Sequence, residues 1–92
     1  MIKSWANSST RRFAEDGKNK FSGLDEDAAL EMLAVLDAAA TLGDINPLRS
    51  VNLHKLSGAR KDQWAMNVNG PWRICFRFDG SDAWEVEIVD YH

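Results

Sequence analysis

The chain has 92 residues, of which 45% are hydrophobic and 27% are charged, and its formal net charge is −3. These values are ordinary for a globular protein and exclude a disordered or fibrous chain, while the net negative charge argues at first against a nucleic-acid partner. The length allows one hydrophobic core, so we expect a single domain over residues 1–92.

The N-terminal segment predicts a short strand followed by a helix. Residues 1–5 can form the strand, and either Ser8 or Ser9 offers an N-cap for a helix that runs through Glu15 and stops at Gly17. Residues 1–7 lack the apolar core of a signal peptide, and no apolar run approaches the roughly 18 residues of a membrane span. We therefore expect a cytoplasmic protein.

A longer helix is predicted from about Asp25 to Leu42. Its apolar residues recur at three-to-four-residue spacing, acidic residues favour its positive N-terminal end, and Gly43 supplies a stop. The acidic residues at 25–27 are adjacent in the helix and cannot converge on one cation, so we expect no metal site and no cofactor.

From residue 50 onward the sequence favours strands. Val51 and Leu53 alternate with polar residues, and residues 56–63 form a turn-rich loop. Three antiparallel strands follow, at residues 64–68, 72–78 and 83–91, joined by Asn69-Gly70 and Asp79-Gly80 turns. Helices beside an antiparallel meander indicate an α+β fold.

The alternation of the strands predicts which residues share a face. In the middle strand two arginines share the face of Cys75: Arg73 and Arg77. The single cysteine cannot form an internal disulfide, and we expect it to be buried. In the last strand one face is predicted to hold Trp84, Val86, Ile88, Asp90 and His92. Tryptophans at 64, 72 and 84 are predicted to anchor the core.

The last three residues, Asp90, Tyr91 and His92, carry a carboxylate, a phenol and an imidazole, and the other histidine of the chain is His54. Imidazole ordinarily changes charge between pH 5 and 8, so two histidines close in space could act as general base and general acid. The alternative is that a C-terminal histidine frays in solvent and has no role.

The charge is divided along the sequence. Residues 25–44 carry six acidic residues and no basic one, a local charge of −6. Residues 49–77 carry six basic residues against Asp62 alone, a local charge of +5. A basic face can therefore exist on an acidic protein, although either block could equally be a solvated surface.

Three motifs together resemble the HigB toxins, or plasmid-maintenance killer proteins, of the RelE superfamily. They are the Leu53-His54-Lys55-Leu56-x-Gly58 turn, the Trp72-Arg73-Ile74-Cys75-Phe76 strand and the Asp90-Tyr91-His92 end. The resemblance spans the whole chain. It implies a RelE-like microbial-ribonuclease fold, in which two N-terminal helices pack on a mainly antiparallel sheet, and a toxin that cuts messenger RNA in the ribosomal A site.

The resemblance also assigns candidate residues. Those tied to cleavage in the family fall on His54, Arg73, Asp90, Tyr91 and His92. Metal-independent cleavage needs a base for the ribose 2′-OH, cations for the phosphorane and an acid for the leaving 5′-oxygen, and two histidines and an arginine meet that need. Contacts to RNA phosphates are expected from Arg49, Lys55, Arg60, Lys61 and Arg77.

The implied partners are the 70S ribosome with its mRNA and a HigA-like helix-turn-helix antitoxin, with DNA contacted only through the antitoxin complex. Two alternatives remain open: a ParE-like inhibitor of DNA gyrase, and an attenuated toxin that only binds its antitoxin. The acidic net charge, and Ser57 at a position where relatives can carry lysine, are the departures from the family that keep an attenuated toxin open.

Overall fold

A computed structural model describes residues 1–45 and 52–90. In these ranges two helices, α1 (Ser8–Asp16) and α2 (Glu26–Ala38), precede four strands. The strands are β1 (His54–Lys55), β2 (Trp64–Asn69), β3 (Trp72–Asp79) and β4 (Asp82–Asp90). They form an antiparallel sheet in the order β1-β2-β3-β4. This confirms the predicted α+β fold, with two helices packed on an antiparallel sheet.

Both helices begin and end for local reasons. The N-cap of α1 is Asn7, whose side chain accepts from the backbone N–H of Thr10 at 2.9 Å, so the expected Ser8 or Ser9 cap is wrong. The helix ends at Gly17, as predicted, because this residue adopts the left-handed conformation with φ 71°. Asp25 caps α2 through Ala28 in the same way.

The second helix ends four residues earlier than predicted. It stops at Ala38, and a separate 3-10 turn covers Leu42–Asp44. The Asp44 carboxylate accepts from the backbone N–H groups of Ala40 at 2.8 Å and Thr41 at 3.1 Å. This side chain satisfies donors that a longer helix would have used, and it thereby closes α2 before Leu42.

The N-terminal segment adds to the far edge of β4. Ile2 pairs with Ala83 and Trp5 pairs with Val86, both in the parallel sense, as two isolated bridges rather than a continuous strand. One turn into α1, the buried Thr10 hydroxyl accepts from the backbone N–H of Ile88 at 3.1 Å. The edge of the strand that leads to Asp90 is therefore bonded to residues 1–10 rather than to water.

The core lies between the helices and one face of the sheet. Met66, Ile74 and Ile88 form one row across this face, and they pack with Phe13 of α1 and Leu36 of α2. Trp64 and Trp72 pack at the margin of the core, as predicted. Cys75 is fully buried, as predicted, although its position in β3 places it on the opposite face of the sheet.

A β-bulge in β4 overturns the predicted position of Trp84. Cys75 pairs with Glu87 but Arg77 pairs with Trp84, so β4 has one extra residue at Glu85, whose φ is 53°. The extra residue reverses the alternation, so that Ala83 fills the core and Trp84 is 40% exposed. Trp84 is therefore not a core anchor and does not share a face with Val86.

Candidate functional site

The candidate site lies on the open face of the sheet, which we define as the face away from the helices. One row of paired residues crosses this face from edge to edge: His54, Ala65, Cys75 and Glu87. Arg73 lies on the same face, two residues before Cys75. Strand spacing puts the Cα atoms of His54 and Cys75 roughly 10 Å apart. Long side chains on this face can cross that distance because Ala65, which lies between them, is small.

A hydrogen bond to the backbone fixes the imidazole of His54. Its Nδ1 lies 2.7 Å from the carbonyl oxygen of Asn52, and because a carbonyl can only accept, Nδ1 carries the proton. In the neutral ring Nε2 is then the acceptor, which is the state that a general base requires. Asn52 itself has φ 49°, a left-handed conformation that asparagine tolerates better than most residues.

Arg73 is held by the hairpin that precedes it. Its Nη1 donates to the carbonyl oxygens of Gly70 at 2.8 Å and Trp72 at 3.0 Å. Asn69 pairs with Trp72, so the turn lies one residue later than predicted, at Gly70-Pro71, and Gly70 adopts the φ of 49° that its first position favours. The turn therefore positions a guanidinium at one end of the open face.

A second guanidinium crosses the middle of this face. Arg60, from the 3-10 turn before β2, donates through Nη1 to Gln63 at 2.9 Å and to Glu87 on β4 at 3.3 Å. Asn7 donates to the other oxygen of Glu87 at 3.3 Å. Because Glu87 lies two strands from β2, Arg60 must reach over β3 and Cys75.

The electrostatics of Cys75 agree with this arrangement. Burial raises the pKa of its thiol, Arg60 and Arg73 oppose the rise, and Glu87 adds to it. The thiol is thus a buried, protonated group beneath the charged layer, which excludes it as a nucleophile at neutral pH. Its small size lets Arg60 lie close to the sheet.

The other predicted residues are more scattered. Asp90 pairs with Trp72, so it belongs to the face of the sheet that the helices cover. It lies at the end of the sheet, where it is exposed. Lys61 is exposed beside Arg60, and Arg77 forms an ion pair with Glu85 at 3.6 Å farther along the open face. Lys55 follows His54 in β1 and therefore belongs to the other face of the sheet, the face that the helices cover. Arg49, Tyr91 and His92 lie outside the described residues.

The structure adds three polar residues that the sequence analysis did not select: Asn67, Gln63 and Glu87. Asn67 pairs with Arg73, and its buried Oδ1 has no hydrogen-bond partner among residues 1–45 and 52–90. The strand pairing that places Asn67 beside Arg73 includes a bulge between Asn67 and Asn69. Counting residues from the predicted Asn69-Gly70 turn does not reveal this bulge, so the sequence could not have paired the two residues.

Residues 1–45 and 52–90 form neither a metal-binding cluster nor a membrane-spanning helix. No group of three or more His, Cys, Asp or Glu residues there is arranged to hold a metal ion. Within the same ranges, no helix has the length and apolar character needed to cross a membrane.

Comparisons with known proteins match this chain over nearly its whole length. The model of a family described as the RelE-like toxin of type II toxin-antitoxin system HigB matches residues 3–92. The chain is also similar to Endoribonuclease HigB of Proteus vulgaris, with 34% identity over 95 residues that cover 100% of both proteins.

Proposed function

The chain belongs to the family of RelE-like HigB toxins of type II toxin-antitoxin systems, and on that premise we propose that it is a ribosome-dependent endoribonuclease. It would cut messenger RNA in the A site and so arrest translation and growth. The similar Proteus vulgaris protein is named an endoribonuclease, which supports this activity. The observation that carries the proposal is the imidazole of His54, held with Nε2 as acceptor on a face that also carries Arg60 and Arg73.

The arrangement suits cleavage by the ribose 2′-hydroxyl. Nε2 of His54 would accept the 2′-OH proton as the 2′-oxygen attacks the adjacent phosphorus. The hydrogen bond from Nδ1 to the Asn52 carbonyl would stabilise the imidazolium that forms. The bond between phosphorus and the 5′-oxygen then breaks, which leaves a 2′,3′-cyclic phosphate and a 5′-hydroxyl.

The cations of the open face would stabilise charge in the transition state. Arg73 reaches the face from the hairpin and Arg60 from the turn before β2, each with its guanidinium anchored by at least two acceptors. Such preorganised cations need little reorganisation when negative charge develops on the phosphorane oxygens. We propose Arg73 as the main cation and Arg60 as a phosphate contact.

The C-terminal residues complete the proposal. His92 would protonate the leaving 5′-oxygen, Asp90 would orient an imidazole, and Tyr91 would stack on or bond the RNA. Arg49, Lys55, Lys61 and Arg77 would contact phosphates of the message or of ribosomal RNA. These assignments rest on the family resemblance of the sequence.

A type II toxin has a cognate antitoxin, and this partner follows from the family. We propose that it is a small HigA-like helix-turn-helix protein that binds this chain and represses their shared promoter. Contact with operator DNA would then be made through the antitoxin. Growth arrest on expression without the antitoxin, relieved by co-expression, tests this pairing.

The test of the activity is primer extension on a defined message in a programmed 70S ribosome. We expect cuts confined to the A site, lost with His54→Ala and His92→Ala and absent without ribosomes. Lys18→Ala, an exposed residue beyond α1, is the matched control and should cut normally. An intact message would refute the proposal; inhibition of supercoiling would then indicate a gyrase inhibitor, and antitoxin binding without toxicity an attenuated module.

A further inference from the structure

A cleft of about 510 Å³ opens at one end of the sheet, next to the candidate site. Three aromatic side chains line it, together with one lysine and two aspartates: Trp64, Phe78, Trp84, Lys55, Asp62 and Asp79. Lys55 directly follows His54 in β1, so the cleft begins one residue from the proposed base. We call it the aromatic cleft.

The cleft exists because the strands end at different levels. Trp64, the first residue of β2, pairs with Phe76, and β3 continues for three more residues that pair only with β4. The β3–β4 hairpin therefore projects past β2 and leaves a step. Trp64 stands at the end of β2 beside this step, and Phe78 lies on the projecting hairpin.

The bulge in β4 supplies the third aromatic group. Because Glu85 is the extra residue, Trp84 is 40% exposed while Ala83 takes the core position. Bulges recur beside active sites, where they redirect a side chain. An exposed tryptophan held by a left-handed residue at φ 53° contributes little to the core, and it presents a stacking surface to the cleft.

The charges of the cleft favour an uncharged ring over a phosphate. Arg77 is paired with Glu85 at 3.6 Å, so these two lining residues offset each other. The other charged lining residues are Lys55, Asp62 and Asp79, which leave a small negative balance. Carboxylates repel phosphate but accept hydrogen bonds from exocyclic amino groups, which adenine, cytosine and guanine carry and uracil lacks.

We propose that the aromatic cleft binds one nucleobase of the RNA next to the cleaved phosphate, by stacking on Trp84 while Trp64 lines another part of the cleft, with a preference for bases that carry an amino group. Lys55, at the boundary between the cleft and His54, contacts the phosphate of that nucleotide. Aromatic stacking accepts any base, and the two aspartates add the selectivity. The inference rests on the proposed ribonuclease function for the identity of the RNA.

A ribosome-free titration tests the cleft by itself. Indole N–H signals of the ¹⁵N-labelled protein are followed while AMP, CMP, GMP, UMP or ribose 5-phosphate is added. We expect the signals of Trp64 and Trp84 to shift with AMP, CMP and GMP, more weakly with UMP, and least with ribose 5-phosphate, while Trp5 stays unchanged. No shift at Trp64 and Trp84, or equal shifts with ribose 5-phosphate, would overturn the proposal.

Two variants connect binding with cleavage. Trp84→Ala should abolish the shift at Trp64 and raise the KM of ribosomal cleavage by about 5- to 150-fold, the effect of one lost stacked base, with kcat nearly unchanged. Trp84→Phe keeps a stacking ring, so it should retain most of the shift at Trp64 and a KM close to that of the wild type. A KM unaltered by Trp84→Ala overturns the inference, even if the wild-type protein cuts.

The inference and the proposed function fail in different ways. His54→Ala should stop cleavage and leave the nucleotide shifts intact, because it removes the base and not the cleft. If the wild-type protein cuts no message, the proposed function is refuted, and the titration alone decides whether the cleft binds a base.

Discussion

The backbone conformation of Asn52 positions the imidazole of His54, the proposed base. Substitutions at residue 52 change this conformation without changing the imidazole itself. Asn52 has φ 49°, and its carbonyl oxygen lies 2.7 Å from Nδ1 of His54. Glycine adopts this conformation without cost, alanine less readily, and valine worst because it is β-branched. We therefore expect both stability and cleavage to fall in the order glycine, asparagine, alanine, valine.

The magnitudes follow from the backbone and from one hydrogen bond. A left-handed residue with a Cβ costs roughly 1–2 kcal/mol, so Asn52→Ala should lose about 1 kcal/mol of unfolding free energy and Asn52→Val about 2 kcal/mol. Loss of a net hydrogen bond of about 0.5–1.5 kcal/mol should lower kcat by about 2- to 13-fold. From a starting stability of at least about 5 kcal/mol, both variants remain roughly 99% folded.

Urea denaturation and ribosomal cleavage, measured on the same preparations, test the series. Ile45→Val is the matched control, because it shortens a fully buried side chain of the core, whereas His54 lies on the open face, and it costs about 0.5–1.5 kcal/mol. That variant should lose stability and keep its kcat. If Asn52→Val cuts as fast as Asn52→Gly, the backbone does not position His54 and the reasoning is wrong.

Three further predictions concern the sheet and its charges. Thr10→Val should cost about 1–3 kcal/mol in urea denaturation, because the backbone N–H of Ile88 loses its acceptor, whereas equal stability of Thr10→Val and Thr10→Ser would refute this bond. Burial raises the pKa of the Cys75 thiol, so maleimide should label it slowly in the native protein and fast in urea. The thiol of the unfolded chain ionises at lower pH than the buried thiol. The unfolding free energy of the wild type should therefore fall relative to that of Cys75→Ala as pH rises above about 8.5. An equal pH dependence of the two unfolding free energies would contradict this. Lys61→Ala should reduce the salt dependence of ribosome binding by about one unit of log–log slope, and an unchanged slope would exclude a phosphate contact.

The sequence predicted the sheet well because its signals are local. Asn69-Gly70 and Asp79-Gly80 mark tight turns, and the residues between them alternate as strands do. The structure has strands at Trp64–Asn69, Trp72–Asp79 and Asp82–Asp90, each within a residue of the predicted bounds where the structure describes them. The apolar spacing likewise identified α2, and the stop at Gly17 marked the end of α1.

The errors arose where a side chain or an extra residue competes with a regular pattern. The Asp44 carboxylate ends α2 early, and Asn7 rather than a serine caps α1. The bulge at Glu85 moved Trp84 from the core to the surface. Neither propensity nor alternation signals a bulge at a non-glycine residue, because its left-handed conformation is fixed by neighbouring strands.

The sequence named candidate site residues, but it could not predict how they are arranged. His54 and Arg73 do share the open face, yet this depends on a register across three strands that no local signal specifies. Arg60 was selected only as a phosphate contact, and its bond to Glu87 across the sheet could not be foreseen. The positions of Arg49, Tyr91 and His92 in the site stay predictions.

Cleavage through the ribose 2′-hydroxyl is the central claim, and a single-turnover reaction on a chemically modified message tests it most directly. The message carries a 2′-O-methyl group only at the nucleotide that is cut in the ribosomal A site. We expect the unmodified message to give a 2′,3′-cyclic phosphate and a 5′-hydroxyl, and the methylated message to stay intact, because the base has no proton to remove. Cleavage of the methylated message, or products with a 3′-hydroxyl and a 5′-phosphate, would contradict the account.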